Sequence, residues 1–273
     1  MIIGDIHTHT TYCDGKNTPE EMVRAAIDKG LGVIGFTGHS YTFFDTEYCM
    51  KRERLKNYRD EVRSLAKKYK DKITVLLGIE QDFYTDLPPE GYDYVIGSVH
   101  YIKLGEEYIA ADDGNDKLIY AANKYFGGDI YGVAEEYFRT VSCILQKINA
   151  DIIGHIDVIT KYNEIDPIFD VCETRFVKAY KKAVDALAES GKIFEVNTGA
   201  ISRGVRKTPY PGIYMWDYLK QKDVKLILTG DSHSTDALCC QFDKWTKSVE
   251  EYGMKDNLID MQGFMKSIGC ING

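Results

Sequence analysis

The sequence predicts an α/β protein of alternating strands and helices, and three observations carry that expectation. Seven short apolar runs recur along the chain, stretches of helical periodicity separate them, and 273 residues lie in the size range that an α/β barrel fills as one unit.

The runs are IIGDIHTH, LGVIGFTGH, ITVLLGIE, YDYVIGSVH, ADIIGHID, KIFEVNTG and KLILTGDSH. Their near-continuous Val/Ile/Leu content suits strands of a parallel sheet, because neither face of such a strand meets water. The segments between them supply the helices. Thr18-Pro19-Glu20-Glu21 offers an N-cap, a proline at the first helical position and early acids, and Met22, Val23, Ala26 and Ile27 follow at helical spacing. A helix ending at Gly30 is expected there, and 54–70, 133–148, 175–190 and 214–222 read likewise. Seven strand–helix repeats imply a barrel or a large open sheet. The less regular stretches, 41–50 and 104–132, read as loop insertions in a single domain covering 1–273, since no repeat or low-complexity linker divides the chain.

Apolar residues make up 44% of the chain and charged residues 28%, which supports a large core rather than disorder. The 34 basic and 42 acidic side chains leave a net charge of −8 with no Lys/Arg block, which argues against tracking a nucleic-acid backbone. The start, MIIGDIHTHT, lacks the features of a cleaved leader, and no run is long and apolar enough to span a membrane, so a cytoplasmic protein is expected. Seven cysteines with no C-x-x-C pair fit reduced thiols in that compartment.

All six histidines, His7, His9, His39, His100, His155 and His233, fall within or at the end of an apolar run. One histidine at a strand end is ordinarily structural. Six at equivalent ends are different, because parallel barrel strands gather their carboxyl ends around one pocket. Asp14 follows the first run, Glu80 ends the third and Asp231 precedes His233, giving nine candidate ligands in all. Imidazoles mixed with carboxylates suit zinc, manganese or iron, whereas calcium takes oxygens throughout. Residues two apart on a strand point the same way, so His7 and His9 can grip one ion, and the same geometry aims Asp231 and His233 inward. Nine ligands suffice for two or three divalent ions.

The ordered set D-I-H-T-H-T with Asp14-Gly15, G-H at 38–39, G-I-E at 78–80, S-V-H at 98–100, G-H-I-D at 154–157 and G-D-S-H at 230–233 resembles the polymerase and histidinol phosphatase, or PHP, superfamily. The resemblance implies a distorted barrel of seven strands with helices outside and metals at the strands' carboxyl ends. It also implies a ligand set of His7, His9, Glu80 and Asp231 for one metal, with Glu80 bridging to a second held by His100 and His155. A third would take Asp14, His39 and His233. The elements between Asn197 and Pro211 look most like histidinol-phosphate phosphatases, although Gly38 stands where an acid commonly precedes the histidine and NTGAISRGVRK is longer than usual.

The expected activity is therefore hydrolysis of a small-molecule phosphate monoester, L-histidinol phosphate, by metal-bound hydroxide, with Glu80, Asp231, His233 and Asp157 in the catalytic apparatus. Lys161, Arg203 and Arg206 are candidates to bind phosphate, and Asn197 to hydrogen-bond the substrate. Tyr41, Phe43 and Phe44 are candidates for a lid. The rival readings are a metal-dependent amidohydrolase, against which Glu80 and the Asp14–His39 pair argue, a PHP-type nuclease or nucleotide phosphatase, a non-catalytic module, and a metal store.

Overall fold

The computed structural model describes residues 3–271. In chain order its elements are β1 (Gly4–Asp5), α1 (Pro19–Asp28), β2 (Val33–Phe36), α2 (Leu55–Lys68), β3 (Thr74–Asp82), β4 (Tyr94–Ser98), β5 (Tyr101–Leu104), β6 (Glu107–Ala110), α3 (Asn115–Tyr125), α4 (Ile130–Val141), α5 (Ile144–Lys147), β7 (Ile152–Ile153), α6 (Thr174–Ala188), β8 (Ile193–Asn197), α7 (Gly199–Ser202), α8 (Trp216–Gln221), β9 (Lys225–Thr229), α9 (Phe242–Glu251) and α10 (Met261–Ser267). The predicted start of α1 is realised as a capping box, with Thr18 and Glu21 each closing on the other's backbone.

Seven parallel strands form one sheet in the order β1-β2-β3-β4-β7-β8-β9. The sheet's two ends meet beyond β1 and β9, where Thr8 bridges Ser232 in parallel and the His9 N–H donates to the Ser232 carbonyl at 2.9 Å. This closure turns the open-sheet alternative into a barrel. Strand alternation then sorts the side chains. Val33, Leu76, Tyr94, Ile96, Ile152, Ile193 and Ile227 face inward and pack with Ile6, while Met261, Phe264 and Met265 of α10 join this inner core. The outward-facing residues meet the helices in a second, larger core.

Tyr94 crosses the barrel interior and donates its hydroxyl to the Ile6 carbonyl at 2.6 Å. Space for its ring comes from Gly78 on the adjacent β3 and Gly35 on β2; a Cβ at 78 would lie 2.5 Å from Tyr94 Cζ. On β3 the inward positions after Leu76 and Gly78 are Glu80 and Asp82, so the apolar inner core gives way to charge at the carboxyl end of the same strand.

The region 104–132 departs from the expected loop. It carries the β5–β6 antiparallel hairpin, turned at Gly105 (φ 59°), and then α3. Alternation was masked there by the short strands and by five glycines. Residues 41–50 form an irregular loop whose Phe44 ring stacks on Tyr108 of β6 at 3.8 Å between centroids. Phe44 also meets Tyr101 of β5 edge-on.

Gly78→Ala should lower unfolding free energy by about 1–3 kcal/mol through overpacking against Tyr94. Chemical denaturation checks this, and an unchanged midpoint would show that the ring has room to move.

Candidate metal centre

The nine candidate ligands are brought together at the carboxyl end of the barrel, around Glu80. His39 Nδ1 lies 2.9 Å from Glu80 Oε2, and His7 Nε2 and His9 Nε2 lie 3.3 and 3.6 Å from the same oxygen. His155 Nε2 and His100 Nε2 approach Oε1 at 2.8 and 3.3 Å. Asp231 Oδ1 sits 3.2 Å from His9 Nε2 and 3.8 Å from His7 Nε2. His233 Nε2 lies 3.1 Å from Asp14 Oδ2, and His39 Nε2 is 3.7 Å from Asp14 Oδ1.

Three groups have ligand atoms within 4.8 Å of one another: His9, Asp14, His39 and His233; His7, His9 and Glu80; and His39, Glu80 and His100. His7 Nε2, His9 Nε2 and Glu80 Oε2 are buried without a hydrogen-bond partner. Buried polar atoms are rarely left so, and atoms that converge on one another without bonding are what a cation would satisfy. The donor set fits a divalent metal.

Burial alone would push the Glu80 carboxyl up, yet the adjacent His39, His7 and His100 hold it well below the usual carboxylate range. His9 goes the other way. Burial, with His233 and His39 alongside, lowers it to about 3, so it stays a neutral electron-pair donor. Asp231 has φ 44°, in the left-handed region that a non-glycine residue adopts at a cost. Gly199 lies directly against it, since a Cβ there would meet Asp231 Oδ2 at 2.5 Å.

The centre opens into a cavity of about 490 Å³. Lys161 and Arg203 line it. Lys161 Nζ pairs with Asp112 at 3.0 Å, and Arg203 Nη2 with Asp231 Oδ2 at 3.0 Å. The remaining wall is acidic and aromatic: Asp45, Glu47, Asp113, Tyr48, Tyr101 and Tyr162. The 41–50 loop thus forms a wall through Asp45, Glu47 and Tyr48, whereas Tyr41, Phe43 and Phe44, the expected lid residues, are not among the cavity's lining.

Three expectations need correction. Arg206 is buried and turned away from the cavity, donating to Thr160 Oγ1 at 2.7 Å and to the Thr208 and Pro209 carbonyls, with Glu164 3.6 Å off. The turn after α7 sends it to the far side of the loop from Arg203. Asn197 is likewise sealed in: its Nδ2 donates to Glu195 and its Oδ1 accepts from the Gly199 N–H. Asp157 is fully buried and accepts from the Gly212 N–H at 2.9 Å and the Tyr214 hydroxyl at 2.6 Å, which makes it a loop anchor outside the cavity. The unusual Gly38 also faces the core, where a Cβ would sit 3.3 Å from Cys13 and Met50, so it does not read a ligand.

Sequence reasoning passed over the acids behind the histidines. Glu195 contacts His7, Asp82 Oδ2 accepts from the His100 N–H at 3.1 Å, and Asp5 accepts from the Gly230 N–H and the Ser232 hydroxyl. For Asp5 and Glu195 the available signal was a single acid inside an otherwise apolar run.

Residues 5–199 match the PHP domain family. The chain belongs to that family. Relatives of this PHP protein include the histidinol-phosphatase of Bacillus subtilis, 27% identical over 259 residues, 84% of this chain and 92% of that one. The probable histidinol-phosphatase of Deinococcus radiodurans is 27% identical over 262 residues, 91% of this chain and 93% of that one. The crystal structure of histidinol phosphate phosphatase from Lactococcus lactis, complexed with zinc, L-histidinol and phosphate, matches with a TM-score of 0.68 at 22% identity, covering 92% of this chain and 93% of that one. That likeness is one of fold, and it agrees with the seven-stranded PHP barrel expected from the sequence.

Arg206→Ala should destabilise the protein by about 1–3 kcal/mol, the cost of leaving buried acceptors unpaired, without changing the metal content of the folded protein. Denaturation and metal analysis of one preparation measure both; a loss of metal at unchanged stability would contradict the placement.

Proposed function

We propose that this chain is a metal-dependent phosphatase that hydrolyses L-histidinol phosphate to L-histidinol and phosphate, with two or three zinc, manganese or iron ions in the Glu80 centre. The observation that carries the reading is the convergence of six imidazoles and three carboxylates around Glu80, with His7 Nε2, His9 Nε2 and Glu80 Oε2 buried and unpartnered, beside a cavity lined by two cations. The ligand assignment is His7, His9, Glu80 and Asp231 for one ion, Glu80, His100 and His155 for a second, and Asp14, His39 and His233 for a third. Divalent ions, when bound, supply charge against phosphoryl oxygens and make a coordinated water acidic near neutral pH.

The chain's own residues provide the rest. Arg203 and Lys161 stand beside the cluster, where their cations suit the non-transferring oxygens of a phosphoryl group. Asp45, Glu47 and Asp113, which also line the cavity, suit a substrate whose remaining part is cationic, as the ammonium of L-histidinol phosphate is. No helix among the described residues is long and apolar enough to cross a membrane. The free state of all seven cysteines supports a reducing, cytoplasmic setting.

Phosphate release from histidinol phosphate, measured against a panel of nucleotide and sugar monoesters with added metal, tests the assignment; turnover of the panel with histidinol phosphate untouched would overturn it. Lys161→Ala should lower kcat/KM by about 10- to 100-fold, the value of one charged hydrogen bond, with metal content retained. Unaltered kinetics would remove Lys161 from the phosphate site.

A further inference from the structure

β8 contributes none of the nine ligands, yet it places a charged side chain directly behind them. Its inward positions are Ile193, which belongs to the barrel's inner core, then Glu195 and Asn197 by strand alternation. Glu195 is therefore a carboxylate inside the barrel, one layer above apolar packing and fully shielded from water. Its four hydrogen bonds saturate it. Oε1 lies 2.5 Å from His7 Nδ1 and accepts from the Thr229 hydroxyl at 2.6 Å, while Oε2 accepts from the His155 N–H at 2.8 Å and from Asn197 Nδ2 at 3.0 Å.

The other His7 nitrogen, Nε2, faces the cluster, 3.3 Å from Glu80 Oε2 and 3.8 Å from Asp231 Oδ1. Those two carboxylates are themselves acceptors. Left to them, a neutral His7 would carry its proton on Nε2 and point an N–H where a metal needs a lone pair. Glu195 competes for that proton from behind.

We infer that Glu195 is the positioning residue of the centre: it holds His7 with its proton on Nδ1 and Nε2 free for an ion, and through its second oxygen fixes the backbone of His155. One carboxylate thereby registers ligands carried by the first and fifth strands of the barrel against each other, as outer-shell acids do for metal-bound histidines. The inference rests on the metal-centre reading given above.

Glu195→Gln is a discriminating change because it keeps the shape and adds a donor. Turned one way, the new amide NH2 meets the His7 Nδ1–H, a clash relieved by moving the proton to Nε2. Turned the other way, it meets the His155 N–H and Asn197 Nδ2, and Asn197 cannot flip because its Oδ1 accepts from the Gly199 N–H at 2.8 Å.

The test is calorimetric titration of metal-free wild type and E195Q with zinc, thermal melting of both metal-free proteins, and long-range 1H–15N spectra of the zinc-loaded wild type, with the His7 signals assigned by their loss in His7→Gln. E195Q is expected to bind zinc about 10- to 100-fold more weakly while its metal-free form remains folded, and zinc-loaded wild type is expected to show His7 protonated on Nδ1. Equal zinc affinity in the two folded proteins, or a His7 proton on Nε2 in zinc-loaded wild type, would overturn the inference. Should E195Q not fold, the wild-type spectrum decides alone. A wild type that takes up no zinc would instead overturn the metal-centre reading, and this inference with it.

Discussion

Glu80 is a fully buried carboxylate facing five imidazoles, and the upper half of the barrel is organised around that charge. A carboxylate taken out of water costs several kcal/mol unless cations or donors replace its hydration. Among the described residues the compensation comes from histidines and the Ser98 hydroxyl, with no lysine or arginine in contact. Imidazoles can serve either as cations or as metal ligands, so the same arrangement that keeps Glu80 ionised also presents it for bridging ions. The barrel makes this possible because β3, flanked by β2 and β4, delivers Glu80 to the centre while the histidines arrive from five other strand ends. Closure at Thr8 and Ser232 carries the first and last of those ends to one another.

The strands and most helices were legible because burial on both faces leaves uninterrupted apolar runs, and because caps such as Thr18-Pro19-Glu20-Glu21 are local chemistry. The nine candidate ligands could be picked out because ionisable residues at the ends of apolar runs have few structural explanations, and the structure brings them to one place. Glu195 was not, since a lone acid within KIFEVNTG has no period to betray it, and its role depends on His7, 188 residues earlier in the chain. Arg206 misled for a related reason. It lies three residues from Arg203, but a short helix and turn put the two guanidinium groups on opposite sides of the segment, a direction that spacing does not encode.

Selectivity on this scaffold falls to the two segments that interrupt the strand–helix pattern. The 41–50 loop and the β5–β6 hairpin brace each other through Phe44, Tyr101 and Tyr108, and through the Tyr101 hydroxyl donating to Asp45 at 2.7 Å. Each also lends acids or aromatic rings to the cavity wall. The candidate metal ligands thus sit on the barrel strands' ends, whereas these two segments wall the cavity above them and touch the ligand layer where Tyr48 meets the His39 ring edge-on at 4.8 Å.

The central claim is that the buried imidazoles and carboxylates around Glu80 are metal ligands rather than a self-contained hydrogen-bond network. Anomalous diffraction at the zinc edge from crystals of the zinc-loaded protein tests it most directly. The account predicts two or three peaks at the barrel mouth, at least one within about 2.0–2.3 Å of both a Glu80 oxygen and a histidine nitrogen. Zinc peaks confined to other parts of the surface, with Glu80 still bonded only to imidazoles and the Ser98 hydroxyl, would contradict it.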